Sequence, residues 1–261
     1  MKELIKTGII AVLIGFGLAA SPAEAVVLDL TGGTTEGIIN GALYSRDIQT
    51  GTGTGTFPAF VQIDRTGNDS AIEQAYNTTV DNVLDNKASD QHNHEITISQ
   101  IPVINVDGTD YREFSLDIGE PGGAQRFLSL DEVQIFLSIT PNQSVETFTG
   151  GLIDISGTLI YRMDAGENSY VRLDASIGAG QGQKDMFLYV PNSLFTGPTS
   201  QYVYLYSRFG ENDPNQGSFE EWGFRGTGGG GNGVIPEPAS LALLGAGLGL
   251  LGFRSRKKTR A

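Results

Sequence analysis

Between His94 and Phe224 the chain is a succession of strand-length apolar runs, and no other feature limits its fold so tightly. Ile96, Ile98, Val103, Ile104 and Val106 lead into Asp107-Gly108, a pair that tolerates positive φ and closes tight hairpins. Tyr111–Ile118 follows with Phe114, Leu116 and Ile118 on one face, then Glu132–Ile139 with Val133, Ile135, Leu137 and Ile139 on one face. Gly157–Met163, Tyr170–Ala175, Met186–Val190, Tyr202–Phe209 and Phe219–Phe224 complete the series, with Gly, Asn and Pro between them. Strands at this spacing, with no helices alternating between them, predict an all-β, antiparallel β-sandwich or jelly-roll body and argue against a doubly wound sheet.

Upstream, Val26–Leu30 and Ile38–Tyr44 are short apolar runs separated by the loop Thr31-Gly32-Gly33-Thr34. The repeat Gly51-Thr52-Gly53-Thr54-Gly55-Thr56 leads into Phe57–Ile63. No Gly-Lys-Ser/Thr follows it, so it is a connection and not a phosphate loop. One helical segment is predicted over residues 70–85, where Ala71, Ile72, Ala75, Tyr76, Val80, Val83 and Leu84 fall near a 3.6-residue period. Asp69 or Ser70 would cap its start, and Asn77-Thr78-Thr79 interrupts it.

Both ends carry targeting features. Lys2 and Lys6, the apolar stretch Thr7 to Ala20 and the Ala23-Glu24-Ala25 site have the order of a secretory signal peptide, with Ala23 and Ala25 as the residues that signal peptidase reads. The expected division is a signal helix in residues 1–25, a sandwich body in 26–226, a glycine-rich linker in 227–235 and a tail in 236–261. Residues 26–236 hold 27 Asp+Glu against 10 Lys+Arg, a net charge of −17 where the whole chain has −13. So acidic a body repels phosphate backbones, which excludes nucleic acid as a partner. The absence of cysteine removes thiol catalysis, thiolate zinc sites and disulfide bracing, so the core must stand alone.

The tail reads Val234-Ile235-Pro236-Glu237-Pro238, an apolar stretch Ala239–Phe253, and the basic end Arg254-Ser255-Arg256-Lys257-Lys258-Thr259-Arg260. At 1.5 Å per residue the apolar stretch covers about 22 Å as a helix, short of a bilayer core of about 30 Å, so it suits a transient anchor with its basic end on the cytoplasmic side. Pro236, Glu237 and Pro238, followed by an apolar helix and an Arg/Lys-rich end, resemble the PEP-CTERM sorting domain. That resemblance implies recognition by an exosortase, cleavage near the Pro-Glu-Pro, and passage from the inner membrane to the outer envelope or the extracellular matrix of an exopolysaccharide-making bacterium.

The body carries weaker signals. It has no Gly-x-Ser-x-Gly, His-Glu-x-x-His or P-loop pattern, so a non-enzymatic protein is expected, possible ligands being exopolysaccharide or none at all. Glycoside hydrolysis needs only two carboxylates, which keeps a polysaccharide hydrolase as the alternative, although adjacent Glu220 and Glu221 would face opposite sides of a strand. Glu211, Asp213 and Asn215 place oxygen ligands at alternate positions, a spacing that admits a structural calcium without matching an EF-hand loop; no other cofactor is expected. Asp117, Glu120, Asp131 and Glu132 form a second acidic group near strand ends, and His92 and His94 would share a face with Asp90 nearby. Tyr202, Tyr204 and Tyr206 share the strand face opposite Val203 and Leu205, and with Trp222 would offer stacking surfaces to a sugar, though packing is the commoner use of such residues.

Overall fold

The computed structural model describes residues 25–46, 58–64, 72–86, 92–165, 168–177, 184–217 and 219–224. The predicted signal helix, the glycine-rich linker and the sorting helix lie outside these residues, apart from Ala25, which is exposed. The first strands are β1 (Val27–Asp29), β2 (Glu36–Ile39), β3 (Ala42–Ser45), β4 (Ala59–Ile63) and β5 (Glu73–Tyr76). Next come β6 (Ile96–Thr97), β7 (Val103–Val106), β8 (Thr109–Ile118), β9 (Phe127–Ser138), β10 (Phe148–Thr149) and β11 (Leu152–Ile153). The last are β12 (Thr158–Arg162), β13 (Tyr170–Asp174), β14 (Met186–Pro191), β15 (Tyr202–Phe209) and β16 (Glu220–Gly223).

These strands form two large sheets and one small hairpin. Sheet one runs β1-β13-β9-β15-β5, with β12 also on β9 and β6 on β15; sheet two runs β2-β3-β14-β8-β16-β4, with β7 on β8. Every pairing is antiparallel except β1 with β13. Three hairpins close through left-handed residue pairs, Asn40-Gly41 at φ 47° and 83°, Asp107-Gly108 at φ 50° and 86°, and Gly150-Gly151 at φ 60° and 79°. The second is the predicted turn, whereas the first splits the run Ile38–Tyr44 into β2 and β3. Alternation then sends Tyr44, Phe114, Leu116, Met186, Leu188 and Trp222 of sheet two against Leu128, Leu130, Val133, Ile135, Val203, Leu205 and Phe209 of sheet one, in one core.

A register shift explains why β9 alternates imperfectly in sequence. Arg208 pairs with Glu132 and Phe209 with Leu130, leaving Asp131 as the extra residue of a bulge. The bulge lets even-numbered Leu128 and Leu130 face the same core as odd-numbered Val133, Ile135 and Leu137. Ile139, expected on that face, falls just past the strand and is 82% exposed.

Over residues 72–85, the described part of the predicted helix 70–85, no α-helix is formed. The first part of this segment is β5, paired to β15 through Tyr76 with Tyr206 and Ala75 with Ser207. At Asn77 the side chain takes over from the backbone: Nδ2 donates to the Val203 carbonyl at 2.9 Å and Oδ1 accepts from the Leu205 N–H at 2.7 Å. Asn82 and Leu84 then adopt φ of 58° and 55°, which no α-helix accommodates. The apolar period that reads as helical instead serves a second, smaller core on the outer face of sheet one. There Tyr76 and Val83 pack with Phe136, Ile153, Ile155, Tyr204 and Tyr206, flanked by Val80, Leu84 and Val145.

Candidate functional site

The tyrosine strand is a packing face and not a binding platform. Tyr204 and Tyr206 are fully buried beneath the second core, and Tyr202 is half-buried at its margin. Each buried hydroxyl is spoken for: Tyr204 donates to the Thr140 carbonyl at 2.8 Å, Tyr206 to Gln74 Oε1 at 2.6 Å, and Tyr76 accepts from the Val145 N–H at 2.7 Å. Burial raises the Tyr76 phenol to about 12, so it stays neutral and available for that bond. Trp222 lies on the other sheet, inside the main core, with its indole N–H on Ser207 Oγ at 2.9 Å. The expected sugar-stacking role of Tyr204, Tyr206 and Trp222 does not fit their placement: segments remote in sequence cover the two tyrosines on the outer face of sheet one, and Trp222 is inside the main core.

The acidic loop is pinned to β9, and its three candidate calcium ligands part company. Asp131, the bulge residue, accepts from the Glu211 N–H at 2.6 Å and from Asn212 Nδ2 at 2.7 Å, while Ser129 Oγ accepts from the Asn212 and Asp213 N–H groups. Glu211 turns to Arg208 at 2.7 Å. Asp213 accepts from Nε and Nη2 of the Arg172 guanidinium, at 2.9 and 3.2 Å. Asn215 Nδ2 points the other way, to Glu220 Oε2 at 2.9 Å and Glu73 Oε2 at 3.3 Å. Glu211, Asp213 and Asn215 thus do not converge on one point, and among the described residues no three His, Asp or Glu side chains are gathered to hold a metal ion.

The second acidic group also divides. Asp131 serves the loop, Glu132 pairs with Arg162 at 3.1 Å, and Glu120 accepts the Gln216 N–H with both carboxylate oxygens at 3.2 Å. His92 sits 3.7 Å from Glu221, whose carboxylate also receives Gln62 Nε2 at 2.6 Å; Asp90 lies outside the described residues. Burial holds the neighbouring His94 below the usual imidazole range, despite the pull of Glu95.

What the fold does bring together is a carboxyl cluster between the sheets. In β16, Glu220 alternates with Trp222 and pairs with Ile63 and Ile118, all core residues, so its side chain points inward. In β5, Glu73 alternates with Ala75 and pairs with Phe209, so it too points inward from the opposite sheet. The Glu220 carboxyl is fully buried beside Glu73, the Asn215 amide reaching both, and its Oε1 has no hydrogen-bond partner. Burial, reinforced first by Glu73 and then by Glu120 and Asp64, drives Glu220 well above the usual carboxyl range. Burial likewise pushes Glu120 up to about 7, with the Gln216 N–H opposing and the Glu73 charge adding to the rise. Glu221, by contrast, stands on the other side of β16 with Gln62 and His92, as adjacency on a strand requires. Sequence reasoning found Glu220 and Glu120 only as members of other groups and missed Glu73, which lay hidden in the helix-like period.

Among the described residues no helix is long and apolar enough to cross a membrane. No protein of curated function and no solved structure is significantly similar to the chain. The family model of the PEP-CTERM protein-sorting motif matches residues 234–258, which include Pro236, Glu237 and Pro238 and lie outside the described residues. The sandwich is therefore carried on a chain with a PEP-CTERM sorting motif, one targeted for export, transient membrane anchoring and processing by an exosortase.

Proposed function

We propose that the body is a non-enzymatic, structural component of the outer envelope or extracellular matrix, released there when the exosortase cuts near Pro236-Glu237-Pro238. The observation that carries this reading is the sorting motif at 234–258, joined to a sandwich in which the candidate acids Asp131, Glu132 and Asp213 are held by internal partners. The carboxyl pair Glu73 and Glu220 is buried away from any glycosidic bond, which counts against the hydrolase alternative. Contact with exopolysaccharide, where it occurs, runs through surfaces other than Tyr204, Tyr206 and Trp222.

Fractionation of the producing cells tests the route. Wild-type chain is expected as a shortened form outside the inner membrane, whereas Glu237→Ala or loss of the exosortase leaves a longer form in the membrane fraction. Incubation of the released protein with the cells' own exopolysaccharide tests the role. No new reducing ends are expected, and their release by wild type but not by carboxylate variants would replace this reading with the hydrolase. Retention on immobilised exopolysaccharide would add a binding function to the structural one.

A further inference from the structure

We infer that Glu220 and Glu73 form a proton-sharing clamp between the two sheets, closed while Glu220 keeps its proton and loosened when rising pH removes it. The geometry leaves the pair little alternative. Two buried carboxyl groups gathered around one amide resist being ionised together, because the desolvation of each charge adds to their mutual repulsion. One proton shared between them converts the repulsion into a hydrogen bond.

The surroundings favour this arrangement. Asn215, on the loop that leads into β16, donates its amide to Oε2 of both residues, at 2.9 and 3.3 Å. The amide steadies the pair through Oε2 and leaves Glu220 Oε1 buried without a hydrogen-bond partner. Charged groups described around Glu220 are Glu73 from β5, Glu120 beyond the end of β8 and Asp64 beyond the end of β4, all acidic and all raising its proton affinity. On β16 itself Glu221 faces the other side, and on β15 Arg208 is turned outward to Glu211. Since β5 belongs to sheet one and β16 to sheet two, a negative charge on Glu220 pushes the two sheets apart at this end.

The sign follows from linkage. The folded state holds a proton that the unfolded chain releases above its ordinary glutamate value of 4.5, so stability is full below that pH and declines as pH rises toward the folded value. Trp222, two residues from Glu220 and the only tryptophan in the chain, reports the opening by its emission. The test is urea unfolding of the full-length chain in nonionic detergent, with chelator present, at pH 5 and pH 8. The wild-type midpoint is expected to fall by about 1 M between the two, and Glu220→Gln to lose at least half of that fall. An equal fall in Glu220→Gln overturns the clamp. So does a wild-type midpoint at pH 8 that millimolar calcium restores while leaving Glu220→Gln unmoved, which would make the cluster a cation site. If the variant does not fold, the infrared carbonyl band of wild type decides: a neutral carboxylic acid persisting at pH 8 supports the clamp, and its absence overturns it.

Discussion

Two acidic regions of this sandwich are balanced by opposite means. Along sheet one, buried or half-buried carboxylates are held by arginine: Glu132 by Arg162, Asp174 by Arg126, Asp213 by Arg172. Arg126 and Arg172 also lie over the Phe127 ring, at 4.3 and 4.5 Å from its centre, so their stems and planes are fixed by packing. At the end of β16 the described neighbours of Glu220 are acids, and the charge is managed by a proton instead. Carboxyl groups therefore shift in opposite directions within one small domain, and an arginine alone does not decide the direction, since burial raises Glu132 despite Arg162. Burial raises Asp174 less than the hydroxyl and N–H of Ser176 and the Arg126 guanidinium lower it, so its carboxyl ends below the usual range, while Glu120 and Glu220 end above it.

The contrast can be broken most forcefully at Arg162. Its substitution by Met strands Glu132, whose side chain is 3% exposed, in a dry site, and unfolding by urea should show a loss of about 3 kcal/mol. Removing a charge from the proton-balanced region should do the reverse. Glu120→Gln at pH 8 keeps an oxygen for the Gln216 N–H and is expected to stabilise by about 1 kcal/mol, with the gain vanishing at pH 4. A destabilised Glu120→Gln at pH 8 would show that this carboxylate is paired after all. Arg172→Met frees Asp213 and the loop it anchors, at a cost of about 1 kcal/mol, and amide exchange should quicken at Asn212 and Asp213 before it does in β9. The acid limb belongs to Asp174: as pH falls through its lowered value the Arg126 pair should dissolve, and Arg126→Met should blunt that loss. Glu211→Gln is the smallest case, since its pair with Arg208 is well exposed, and a change beyond about 0.5 kcal/mol would contradict its placement.

Much of the sandwich is legible in the sequence because period-two alternation and turn chemistry are local. Asp107-Gly108 announces its hairpin, and β8, β14 and β15 occupy nearly the spans that their apolar runs suggest. Three features escape such reading for one reason: each depends on a partner far along the chain. Asn77 is a helix-interrupting residue locally and a ladder substitute only beside β15. Tyr204 and Tyr206 look like a solvent face until segments around Val83 and Ile153 cover them. Glu73 and Glu220 are two ordinary glutamates until β5 and β16 bring them together from opposite sheets. The loop ligands Glu211, Asp213 and Asn215 show the converse, an alternation that looks like a site but whose members face separate partners.

The position of β16 bears on the timing of folding. It is the last strand in the described chain, yet it lies inside sheet two between β8 and β4, and it ends eleven residues before the sorting-motif match begins. Strand β4, some 160 positions upstream, has no other route into that sheet, since β16 is the strand that joins it to β8. A chain that emerges N-terminus first therefore keeps sheet two split, with Phe60, Phe114 and Leu116 uncovered, until almost the whole body has crossed. The strand nearest the sorting motif is thus the one on which completion of the second sheet depends.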